Sequence, residues 1–97
     1  MEKVIAAQPK NADALNELGY AYREIDQFDK ALVFYEKALA IKPDHIGALN
    51  YLGMLYVETG ETVKAKALLA RIDDACFFTC DEFTSLEKAI ETGVVED

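Results

Sequence analysis

Ninety-seven residues with 18 acidic and 10 basic side chains carry a net charge of −8, and 52% of the chain is hydrophobic. That length sustains one small domain with a modest core, so regular, well-packed elements must supply its stability. The acidic balance argues against a surface that neutralises nucleic-acid phosphates or sits on an anionic membrane, and no run of about 18 apolar residues is present to span one. Met1 to Lys10 lacks the apolar block of a secretion signal, so the expectation is a soluble, cytoplasmic protein.

The chain repeats itself at an offset of 34 residues. Ala14-Leu15-Asn16, Leu18-Gly19 and Tyr22 return as Ala48-Leu49-Asn50, Leu52-Gly53 and Tyr56, and Glu24, Lys30 and Ala31 return as Glu58, Lys64 and Ala65. Carried along the chain, this ruler predicts the elements in order. Pro9 stands 34 residues before Pro43, so residues 1–10 are expected to hold the back half of a preceding helix. Leu15, Leu18 and Tyr22, then Ala31, Phe34, Tyr35 and Ala38, recur at helical spacing and predict two amphipathic helices within residues 12–45. The polar break at Asp26-Gln27 is too short for anything but an antiparallel pair. Pro43 ends the second helix, and Asp44 is the expected N-cap of the next. Residues 46–79 repeat the plan with a break at Gly60 and a second helix expected to run on through Cys76. Phe83, Leu86 and Ile90 continue the spacing of the first helices, predicting a capping helix over residues 81–93 that buries those three and ends at Gly93, followed by an acidic tail at 94–97. Gly19 and Gly53 are expected opposite Ala31 and Ala65, where small residues let antiparallel helices approach.

Residues 12–45 resemble the tetratricopeptide repeat, a helix-turn-helix unit of the same 34-residue period. Leu15, Leu18-Gly19, Tyr22, Ala31, Tyr35, Ala38 and Pro43 stand at the positions of that family's signature. The second copy keeps Leu49, Leu52-Gly53, Tyr56 and Ala65 but carries Leu69, Ile72 and Phe77 at the later positions. The resemblance implies an all-α fold of helix pairs stacked as a short right-handed solenoid with a C-terminal cap. It also implies a protein-protein interaction module that binds a peptide or protein segment in a concave groove lined by the first helix of each pair. By position it nominates Asn16, Tyr20, Arg23 and Glu24, with Asp13 beside them, and Asn50, Met54, Val57 and Glu58; Thr84, Lys88 and Glu91 continue the row on the cap. Asn16 and Asn50 carry both a donor and an acceptor and suit a peptide backbone. Several basic side chains would be needed to clamp a terminal carboxylate, and only Arg23 and Lys88 are near. Self-association through the N-terminal end, or membership of a longer array, is the alternative expectation.

Chemistry is poorly supported. Ser85 is the single serine and His45 the single histidine, far apart in sequence, which leaves a nucleophile without a base. The pairs Asp73-Asp74 and Asp81-Glu82 read as solvated helix ends, and no phosphate-cradling glycine loop is present. The expectation is therefore no enzyme, no cofactor and no metal. Cys76 and Cys80 read first as packing residues, with a reversible disulfide second and a metal site last, because a structural zinc needs four ligands. The charge is uneven: residues 1–72 hold 10 acidic and 9 basic side chains, and residues 73–97 hold 8 and 1. That acidic end either keeps a terminal helix soluble or steers a basic partner.

Overall fold

The computed structural model describes residues 11–76 and 80–95, which form five helices and no strands. Met1 to Ala7, Phe77 and the last two residues, on which some of the expectations above fall, lie outside the described residues. The helices are α1 (Ala12–Glu24), α2 (Phe28–Ile41), α3 (Ile46–Glu58), α4 (Thr62–Ala75) and α5 (Asp81–Thr92). They fall into two compact units, Met1–His45 and Ile46–Asp97.

In the first unit, α1 begins at Asn11, whose side-chain oxygen accepts from the Ala14 N–H at 3.0 Å. This satisfies one of the orphan donors of the first turn. Its other end is a Schellman turn: the Gln27 N–H donates to the Tyr22 carbonyl at 2.8 Å and the Asp26 N–H to the Arg23 carbonyl at 3.0 Å, with Asp26 left-handed at φ 61°. The second unit repeats both bonds, Glu61 to Tyr56 at 2.7 Å and Gly60 to Val57 at 3.2 Å, with Gly60 at φ 82°. Two copies of the same turn therefore reverse the chain with different residues at the left-handed position. Asp tolerates that conformation because its short side chain bonds locally, and Gly has no Cβ to clash.

The first unit buries Leu15, Ala31, Tyr35, Ala38 and Leu39. Tyr22 stacks on Phe34 with ring centroids 5.3 Å apart, and Lys30 lies over the Tyr22 ring at 5.5 Å. Lys64 lies over Tyr56 at 5.6 Å in the second unit, so the repeated Lys and Tyr are one repeated cation–π contact. Helix α2 ends at Ile41 ahead of Pro43 as expected, but α3 starts at Ile46, so Asp44 lies in the turn two residues ahead of the helix and not at the cap. The second unit buries Leu49, Leu52, Leu55, Ala65, Leu68 and Ile72, and α5 packs on both α3 and α4. Leu86 and Ala89 are the residues α5 buries; Phe83 and Ile90, expected beside Leu86 in the core, are half-buried. Gly93 closes α5 in the left-handed conformation at φ 73°.

The close approaches at the two glycines differ from expectation. A Cβ on Gly19 would lie 2.6 Å from the Tyr35 ring, and one on Gly53 would lie 2.5 Å from a Leu86 methyl. The side chain nearest each missing Cβ is thus a large one, while Ala31 and Ala65, expected opposite the glycines, are fully buried in α2 and α4. Cys76 and Cys80 are joined as a disulfide, which corrects the packing reading. Cys76 is the C-cap of α4 and Cys80 the N-cap of α5, so neither side chain belongs to a helix's apolar stripe.

Candidate functional site

Helix α1 carries the first group of nominated residues. Tyr20 is half-buried and Glu24 exposed, but Asn16 and Arg23 are only 5% and 4% exposed. Two of these four nominated positions are therefore buried in the free chain. The Arg23 guanidinium lies 3.9 Å from the Glu24 carboxylate. Asp13, placed in the same row from sequence, instead meets His45, with 2.6 Å between the carboxylate oxygen and Nε2. That contact ties the start of α1 to the turn after α2. It also gives the lone histidine a place in the first unit's framework.

Asn16 has a second property. Its side-chain oxygen is buried and finds no hydrogen-bond partner among the described residues, and the same holds for the oxygen of Asn50, one repeat later on α3. A buried acceptor without a donor costs about 1–3 kcal/mol relative to a paired one, so such groups are rare and call for an explanation. Repetition at equivalent positions makes coincidence a poor one.

On α3, Asn50 and Val57 are half-buried, Met54 is 5% exposed and Glu58 is exposed. Met54 nevertheless reaches a cleft of about 520 Å³ in the second unit, whose other wall is α5. That wall is made by Asp81, Thr84, Ser85, Lys88 and Thr92, with Val94 beyond the helix end. The spacing of three and four residues puts these side chains on one helical face. The far edge is held by Thr92, whose hydroxyl donates to the Lys88 carbonyl at 2.9 Å and accepts from the Val94 N–H at 3.2 Å. Met54, Thr84 and Lys88 were nominated from sequence; Asp81, Ser85, Thr92 and Val94 were not. Their period was legible, because 81, 84, 85, 88 and 92 form a polar stripe on one side of the helix, with Ala89 at its edge also lining the cleft and Leu86 turned towards Gly53. Glu91 does not line this cleft.

The cleft has the volume of a side-chain or small-ligand site, with hydroxyls, one carboxylate and one ammonium around a thioether floor. Such a lining can hold a peptide side chain and hydrogen-bond its flanks. Among the described residues, no group of three or more His, Cys, Asp or Glu is placed to hold a metal ion, and no helix is long and apolar enough to cross a membrane.

Two family models match the chain, each described as a tetratricopeptide repeat. One covers residues 12–45, the α1–α2 pair, and the other residues 34–67, from within α2 into α4. Together they span residues 12–67, more than half of the chain. The chain belongs to the tetratricopeptide-repeat family. Comparison with curated proteins and with solved structures found no match. Tetratricopeptide repeats are generally protein-interaction modules. The second match straddles the two helix pairs, so the helix-turn-helix unit of this tetratricopeptide-repeat chain is recognised in either phase. The Schellman turns and the repeated cation–π pair are the local interactions that build it.

Proposed function

We propose that this tetratricopeptide-repeat protein binds an extended segment of another protein along the first helices of its repeats and performs no chemistry of its own. The observation that carries the reading is the pair of buried, unpartnered amide oxygens at Asn16 and Asn50. Backbone N–H groups of an extended peptide are the natural donors, since they recur along a chain whatever its side chains. Tyr20 and Val57 supply apolar contact, and Arg23, Glu24 and Glu58 supply charge at the edges of the site. The cleft between α3 and α5 then receives one side chain of the segment over Met54, within reach of Thr84, Ser85 and Lys88.

The test is selection of binding sequences from a library of displayed peptides, followed by titration of one synthetic peptide. Asn16→Ala and Asn50→Ala should each weaken binding about fivefold to tenfold, the worth of one hydrogen bond. Folding stability should not fall by more than about 1 kcal/mol, because the lost oxygen had no partner to lose and its removal relieves an unpaired buried acceptor. Amide shift changes confined to α2 and α4, or an unchanged affinity in both variants, would sink the assignment.

A further inference from the structure

The covalent bond between Cys76 and Cys80 lies at the junction of two helices, one of which forms a wall of the cleft. Cys76 caps the C-terminus of α4, Cys80 caps the N-terminus of α5, and the next residue, Asp81, already lines the cleft. The Cys80 side chain makes no capping hydrogen bond to the first turn of α5. A helix of 12 residues is marginal by itself, and this one buries only Leu86 and Ala89. Beyond its first turn it carries Glu87 and Glu91 four residues apart, a like-charge pair that weakens the helix, against the single cation of Lys88. Like α2 and α4, α5 has no side-chain cap, but its N-terminal end alone is held by a covalent tether. Both cysteines are partly exposed, within reach of a small thiol.

We propose that the Cys76–Cys80 disulfide is a redox latch on the cleft: oxidised, it holds the start of α5 against the end of α4 and keeps the Asp81–Thr84–Ser85–Lys88 wall in place; reduced, it frees that wall. The reductant is a dithiol, of the kind that thioredoxin-like proteins present. One of its thiolates attacks a cystine sulfur, breaking the Cys76–Cys80 bond and forming a mixed disulfide. Its second thiol then displaces the remaining cysteine as thiolate. Two electrons and two protons pass to the two cysteines, which become thiols, and the dithiol becomes a disulfide. The effect on binding rests on the peptide-binding reading above; the effect on α5 does not.

The experiment uses the full chain, oxidised and after treatment with dithiothreitol, with alkylation and mass measurement to establish complete reduction. Hydrogen exchange of α5 amides should accelerate about tenfold on reduction while α1 and α2 keep their rates, as expected for release of a local constraint. The Cys76→Ser, Cys80→Ser double variant should exchange like the reduced chain and ignore the reductant. Equal α5 exchange in the oxidised and fully reduced parent would overturn the latch. Affinity for a selected peptide is measured in both states: a loss of about tenfold on reduction supports control of the cleft, and equal affinity overturns it. A chain whose α5 loosens on reduction but that binds no peptide in either state refutes the peptide-binding reading and, with it, control of binding, while the tether's hold on α5 stands.

Discussion

Gly19 and Gly53 occupy the same place in two copies of one repeat, yet the space beside them is filled in different ways. In the first unit the filler is the Tyr35 ring, from the second helix of the same pair. In the second unit it is Leu86, from a fifth helix that the first unit has no counterpart for among the described residues. One repeat after Tyr35 stands Leu69, a shorter, half-buried side chain, and the atoms nearest a Cβ on Gly53 are those of Leu86 instead. The repeat position therefore specifies that a close approach occurs, while the chemistry of later positions specifies what makes it. Both side chains are fully buried, but a ring is rigid whereas a leucine can change rotamer. The first pair is closed from within, and the second depends on a helix that is itself tethered by a disulfide.

The largest test of this contrast is Leu86→Ala. It should cost about 3 kcal/mol by urea denaturation, as for a large-to-small change at a buried site, and should raise hydrogen exchange in α3 to α5 while sparing α1 and α2. A uniform rise over all five helices would mean that the two units are not independent in stability. Next is the same substitution at both glycines. Gly19→Ala should cost about 2 kcal/mol because its Cβ meets the unyielding Tyr35 ring, and Gly53→Ala less than about 1 kcal/mol because the Leu86 methyls can rotate away. Equal losses would remove the distinction between ring and leucine. The smallest effects belong to the turns. Gly60→Ala should cost about 1 kcal/mol through backbone strain alone, since nothing lies within 4 Å of its missing Cβ, and Asp26→Gly should change stability by less than about 0.5 kcal/mol. A large loss for Asp26→Gly would show that the aspartate side chain, and not only its backbone angle, holds the first turn.

Much of the fold was legible because it is written in local patterns. The 34-residue offset marked both pairs, the break at Asp26-Gln27 and at Gly60 marked the turns, and Gly93 marked the end of the last helix. Each depends on residues within a few positions of one another. The candidate site was legible in its outline only. Asn16, Met54, Thr84 and Lys88 were named from the position of their helices, but that Asn16, Arg23 and Met54 are buried could not be read from a helical period, which gives a side chain's angle and not what covers it. Asp13 was assigned to the same row as Asn16, and its bond to His45, 32 residues away, carries no sequence signal.

By itself the sequence determined the all-α class, the period, the antiparallel pairs and the equivalence of Asn16 with Asn50, because hydrophobic spacing and turn chemistry act over short range. Tertiary structure alone decided that Gly19 meets a tyrosine and Gly53 a leucine, that Cys76 and Cys80 are bonded, and that the two asparagine oxygens are buried without partners. Those outcomes depend on which surfaces come together once the helices have formed. Burial and pairing are properties of a site's neighbours, and here several of them come from other helices.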